Sequence, residues 1–179
     1  PLANTPPAPG PALGQPLSSR VVLIVVDALR EDTLRQAGAM PFLNQLRQQG
    51  AWAVMHSQPP SWSQTSWTVI GTGAWPDISD GPLVNVDTDK IWPWSQDNIF
   101  AAAQRAGLKN AVSGYDWWEK FIRPEWRDAT FSTHGEDDAA DRDVTNAALP
   151  WLKSREHALI LIHLDQVDYA GHYEGGPRD

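Results

Sequence analysis

Six aliphatic residues in succession, Val21-Val22-Leu23-Ile24-Val25-Val26, end abruptly at Asp27. The run is mostly β-branched and carries no polar side chain, the pattern of a strand buried on both faces of a parallel sheet. A second buried strand, Ala158–Leu164, comes much later and is followed by Asp165 and Asp168. Helical patterns stand between the two. Met40–Gln49 puts Phe42, Leu43 and Leu46 on one face and meets Gly50, a C-terminal cap residue. Ser63–Ile70 reads as a helix entered after Pro59-Pro60 and ending at Gly71 or Gly73, and Asp97–Arg105 as an Ala-rich helix stopped by Gly107. Strands are expected at Trp52–Met55 and around Leu108–Ser113, and a helix over Asp138–Lys153 that Pro150 should kink or end early. Strand and helix alternate, which predicts an α/β fold with a mainly parallel central sheet flanked by helices.

Composition narrows the function classes. The chain has 179 residues, the length of one ordinary domain. Lys and Arg number 14 against 22 Asp and Glu, a net charge of −8 that offers no basic footprint for a nucleic-acid polymer. The absence of cysteine excludes disulfides, thiolate zinc sites and Cys nucleophiles. No apolar run approaches the ~20 residues of a membrane span. Residues 1–19 contain six prolines and no charged side chain, so they read as an extended linker preceding a domain over residues 20–179. A linker of this kind follows a removed signal peptide or an anchor, which points to an extracytoplasmic location, periplasmic or secreted.

Chemistry is expected where carboxylates meet the carboxyl ends of parallel strands. Asp27 follows the first strand, Asp165 and Asp168 follow the last, and His172 lies four residues beyond Asp168. Hard oxygen donors with an imidazole suit a divalent metal, although any one such Asp is as readily a helix cap. Ser61 and Ser63 open a helical pattern that ends in Thr72-Gly73; either is a natural N-cap, and either stands where helix amides favour a phosphate or sulfate. Of the ten tryptophans, Trp62, Trp67 and Trp75 flank this stretch as candidate cleft walls, against the plainer reading of core and surface patches. The acids Glu136, Asp137, Asp138, Asp141 and Asp143 read as a solvated loop entering a helix.

Four segments occur in order: V-V-L-I-V-V-D-A-L-R-E-D-T-L, M-P-F-L-N-Q-L-R-Q-Q-G-A, P-P-S-W-S through T-G, and D-Y-A-G-H. Together they resemble the alkaline phosphatase superfamily, in its nucleotide pyrophosphatase/phosphodiesterase and ethanolamine-phosphate transferase branches. The resemblance runs from about Val21 to Gly176 and implies an N-terminal portion of an alkaline phosphatase-like catalytic domain. It implies that Asp27 is a metal carboxylate. It makes Ser63, nine residues before Thr72, the nucleophile on the same metal, with Ser61 the runner-up. Asp168 and His172 would then hold a second metal, and Asn85 would contact a phosphoryl oxygen. The implied cofactors are two divalent ions, zinc first, with manganese or magnesium as alternatives. The implied partner is a phosphorylated small molecule, a nucleotide or a lipid head group.

Three departures shape the expectation. Ser stands where related phosphodiesterases usually have Thr. Thr65 and Trp67 occupy the positions where a formylglycine sulfatase needs Pro and Arg. The later Asp-His pair and further His of the family have no counterpart before Asp179, so the sequence offers two ligands per metal. It therefore reads as a truncated catalytic domain, metal-poor and inactive by itself, whose missing half lies on the same chain or a partner. The alternatives are a non-catalytic fragment or pseudoenzyme in an interaction role, and a simple phosphate- or nucleotide-binding module.

Overall fold

A computed structural model describes residues 8, 10–11, 14–36 and 38–175. Four strands, β1 (Val21–Val26), β2 (Asn110–Tyr115), β3 (Ala129–Thr133) and β4 (Leu159–Leu164), form one parallel sheet in the order β1-β4-β2-β3. The two aliphatic runs recognised in the sequence are neighbours, with Val21 opposite Leu159 and Val26 opposite Leu164. The helices are α1 (Glu31–Arg35), α2 (Pro41–Gln49), α3 (Ser63–Thr72), α4 (Pro76–Ser79), α5 (Ile99–Arg105), α6 (Asp116–Phe121), α7 (Asp138–Ser154) and α8 (Gln166–Glu174). None is long and apolar enough to cross a membrane.

The two-residue alternation of β4 divides the core. Leu159 and Leu161 face a cluster built with Trp67 of α3, Trp94, Phe100 of α5, and Trp118 and Phe121 of α6. Ile160 and Ile162 face Val144 and Ala148 of α7. Helices thus cover both faces at the centre of the sheet. The first cluster is largely aromatic: Trp67 stacks on Trp118 at 5.0 Å between ring centroids, and Trp94 stacks on Phe121 at 5.5 Å. Trp94 donates its indole N–H to Thr68 Oγ1 at 3.0 Å and lies hard against Gly71, where an added Cβ would meet the ring at 2.2 Å.

Several expectations are corrected. β1 is an edge strand covered on one face only. Leu23 and Val25 pack against the aromatic cluster, whereas Val22 and Ile24 stay exposed because α7 packs on β2, β3 and β4. Residues 52–55 form no strand, and α2 leaves Phe42 and Leu46 exposed, with no buried residue of its own. Pro150 does not end α7, which continues to Ser154. Pro150 and Asn146, whose carbonyl loses its partner, both face solvent, where water replaces the missing bond. The end of α7 is tied to the start of β1 by Arg20, whose guanidinium donates to the Trp151 and Leu152 carbonyls at 2.7 and 2.8 Å. The linker reading of residues 1–19 falls largely outside the described residues.

Candidate active site at the carboxyl edge of the sheet

β1 and β4 deliver their carboxylates side by side. The ladder carries on one step past β1, with the Asp27 amide donating to the Leu164 carbonyl at 2.9 Å. Ala28 then takes a left-handed conformation (φ 53), unusual for a residue with a side chain, and turns the chain away from the sheet. Its amide donates back to Asp27 Oδ1 at 2.9 Å, which fixes the carboxylate. At the end of β4, the Asp165 and Gln166 amides donate to the Asp141 carboxylate at 2.8 and 3.3 Å. Asp141, read from the sequence as one of a solvated acidic group, is thus a tie between α7 and the start of α8.

Between the two carboxylates sits His163, whose side chain is 0 % exposed. It shares the β4 face of Leu159 and Leu161, and its ring packs at a steep angle on Trp67 with 4.3 Å between ring centroids. Gly114 on β2 makes room for it, since an added Cβ there would come within 2.6 Å of His163 Cβ. His163 Nε2 stands 3.9 Å from Asp27 Oδ2 and 3.8 Å from Asp165 Oδ1. Neither His163 ring nitrogen has a hydrogen-bond partner, and nor does Asp27 Oδ2. One donor atom from each of Asp27, His163 and Asp165 lies within 4.8 Å of the others, an arrangement able to hold a metal ion. The orphaned buried atoms and the mixed oxygen and nitrogen donors fit a divalent cation.

Ser63 is the first residue of α3, and the N-cap is Trp62, which contributes no side-chain cap. The hydroxyl is therefore not engaged in capping and lies beside the Asp27 carboxyl. Asn85 is close by in the fold: its Oδ1 accepts from the Gln64 amide at 3.0 Å, so a phosphoryl contact would fall to its amide nitrogen, a donor. Asp168 and His172 lie one turn apart on α8, with Oδ2 and Nε2 3.4 Å apart. Among the candidate tryptophans, Trp67 belongs to the core at 2 % exposure, while Trp62 and Trp75 are exposed.

The charges compete for one region. Burial pushes the Asp27 carboxyl up, but His163, the Ser63 hydroxyl and the Ala28 amide outweigh it and leave Asp27 below its ordinary value. Asp165 is pushed up to about 8, first by burial and then by Asp27, Glu136, Asp168 and Asp141. Asp168 is raised by burial and by Asp27, with His172 opposing. Asp27 and Asp165 follow the paired ends of the neighbouring strands β1 and β4, and Asp168 lies in the first turn of α8, which follows β4 directly.

The profile of the type I phosphodiesterase / nucleotide pyrophosphatase family matches residues 21–179. The chain belongs to that family. It is accordingly a member of the alkaline phosphatase superfamily, and its parallel sheet with flanking helices agrees with that. Among curated relatives, the phosphodiesterase-family chain is 27% identical over 187 residues to the catalytic subunit of GPI ethanolamine phosphate transferase 2 of Homo sapiens, an alignment covering 95% of this chain and 19% of the human protein. It is 29% identical over 170 residues to GPI ethanolamine phosphate transferase 2 of Eremothecium gossypii, covering 90% of this chain and 21% of that protein. The chain thus spans about a fifth of the length of these relatives. Family and relatives together support phosphoester chemistry, by hydrolysis or by transfer.

His163, buried between the strand-end acids Asp27 and Asp165, is not singled out by the sequence reading. Asp165 is visible in the sequence as a strand-end acid, whereas the family resemblance carries only Asp168 and His172. The signal for His163 was a lone imidazole inside an otherwise aliphatic strand, two residues before an acid.

Proposed function

We propose that this chain carries the nucleophile side of a metal-dependent phosphoryl-transfer site, with Ser63 as the nucleophile. The carrying observation is the placement of Ser63: first residue of α3, unused as a cap, beside the Asp27 carboxyl. Asp27 holds one divalent ion together with Ser63, and Asp168 and His172 hold a second. The bound ions would lower the pKa of the serine hydroxyl and offset the charge that develops on the phosphoryl oxygens.

Ser63 Oγ attacks phosphorus, the bond to the leaving oxygen breaks, and that oxygen leaves as an alcohol after taking up a proton. The phosphoserine is then discharged when a second hydroxyl attacks phosphorus, loses its proton and releases Ser63. Water as that hydroxyl gives hydrolysis; a sugar or lipid hydroxyl gives transfer. The activity for which both relatives are named favours transfer, with ethanolamine phosphate as the group moved. The Asn85 amide orients a phosphoryl oxygen, anchored by its bond to the start of α3.

The test is turnover of a simple phosphodiester such as bis-p-nitrophenyl phosphate by the full-length protein, with acid quench and mass spectrometry. A phosphorylated Ser63 peptide and a dead Ser63→Ala variant are expected. Full activity in Ser63→Ala, or phosphate found on Ser61, overturns the assignment. Absence of any turnover in the full-length protein would favour the non-catalytic reading.

A further inference from the structure

We propose that the cavity of about 620 Å³ between the turn after β1 and helix α8 is the subsite for the second hydroxyl, and that its occupant is a polyhydroxylated alcohol, a sugar. The inference rests on the phosphoryl-transfer reading of Ser63 and names the acceptor class for that same site.

Three observations carry it. First, the cavity lies where an acceptor has to stand. Displacement at phosphorus is in line, so the leaving oxygen departs opposite Ser63 Oγ. The second hydroxyl must then attack from the side just vacated, again away from Ser63. Asp168 and His172 line the cavity, and so does Ala28 next to Asp27, whereas Ser63 does not. Second, its volume falls inside the range of ~300–1,000 Å³ that small-molecule sites occupy, and far exceeds the ~30 Å³ of a water molecule. Third, its walls carry the groups that hydroxyls need. The turn after β1 and the start of α1 present Arg30 and Thr33, and α8 presents Glu174. Arg30 is held in place by Asp32, with Nε donating to Oδ1 at 3.0 Å. A guanidinium donates, a carboxylate accepts and a hydroxyl does both, which matches a ligand whose own hydroxyls are each donor and acceptor.

The same walls reject other alcohols. An apolar chain would displace water from Arg30, Thr33 and Glu174 without replacing its hydrogen bonds. An anionic acceptor would face the carboxylates of Asp168 and Glu174, while Arg30 is already engaged by Asp32. A sugar hydroxyl forms its bond to phosphorus as the bond to Ser63 Oγ breaks, and the proton it loses returns to Ser63 through solvent. The product is a sugar phosphodiester. Gly171 of α8 lines the cavity, and an added Cβ there meets nothing within 4 Å, so a large side chain at this position occupies the cavity without a clash.

The test gives the full-length protein bis-p-nitrophenyl phosphate together with methyl glucoside or 1-propanol at equal concentration, and mass spectrometry sorts the products. Water converts the nitrophenyl phosphoserine to p-nitrophenyl phosphate, and an alcohol converts it to that alcohol's nitrophenyl diester. The glucoside is expected to capture the intermediate saturably and about tenfold more often than propanol, the worth of one or two hydrogen bonds. Gly171→Phe should bring the two alcohols level, and Thr33→Val should cost the glucoside alone about threefold. Both products arise from one intermediate, so a change in the first step cancels in the ratio. Saturation-transfer NMR of the glucoside without any phosphodiester should show contact that Gly171→Phe removes, which reads the subsite without turnover. Capture of the glucoside no better than propanol, or a ratio and an NMR contact unchanged in Gly171→Phe, would each overturn the proposal. Contact that Gly171→Phe removes, in a protein that releases no nitrophenol, would support the sugar subsite and sink the nucleophile reading instead.

Discussion

Asp165 is buried and lies among Asp27, Glu136, Asp168 and Asp141, and both effects disfavour its charged form in the folded protein. Its folded pKa of about 8 stands above the ordinary 3.8. Between those values the folded chain binds more protons at this group than the unfolded chain does, so stability falls as pH rises from about 4 to about 8. Urea melts at pH 4, 6 and 8 without metal should show the decline, and Asp165→Asn should flatten it. An unchanged slope in Asp165→Asn would mean that another group carries the pH dependence. Ser63→Ala makes a separate prediction: turnover of the full-length protein falls below detection. Stability changes by no more than about 0.5 kcal/mol, since a half-buried hydroxyl without a capping role is removed. At this scale the sequence was readable where spacing carries the information. Asp168 and His172, four apart, share a face of α8, and the helix that Ser63 opens is marked by Pro59-Pro60 before it and Gly73 after it. His163 and Asp141 were hidden because their roles depend on which strand lies beside β4 and where α7 meets α8, which no local pattern encodes.

Among the elements, α3 depends most on a close fit. Gly71 lets Trp94 lie against the helix, and Gly71→Ala forces a Cβ to within 2.2 Å of that ring. The variant should lose about 1–3 kcal/mol, as overpacked cores do, with the Thr68–Trp94 hydrogen bond broken. Chemical denaturation measures the loss; a variant as stable as the parent would mean that the ring can move at no cost. The runs that became β1 and β4 were legible from apolar continuity, and α3 from its flanking Pro and Gly. β3, with its Thr, Ser and single Phe, carries no such run and was missed. Residues 52–55 look like a strand by composition, yet they find no neighbour to pair with.

Over the whole molecule, the apolar surface is uneven. Val21, Val22 and Ile24 on β1 and Phe42 and Leu46 on α2 are exposed, and neither α1 nor α2 buries a residue. An open edge strand with aliphatic side chains is a template for further pairing. The chain in isolation should therefore associate in a concentration-dependent way, and Ile24→Lys, at a 58% exposed position, should reduce association with little change in unfolding midpoint. Sedimentation velocity of both proteins decides this; a monomeric parent at high concentration would contradict it.

The strand order also sets a timetable. Of the four described strands β1 is made first, yet its partner β4 is made after the other three and must enter between β1 and β2. On the ribosome, at ~5–20 residues per second, Val21–Val26 therefore waits on the order of ten seconds or more before its pairing surface exists. A six-residue aliphatic segment without a charge is the kind of stretch that amyloid-type stacking exploits. The unpaired β1 run is most open to such stacking after β1 emerges and before β4 does, and Asp27 and Asp165 come together only when that interval closes.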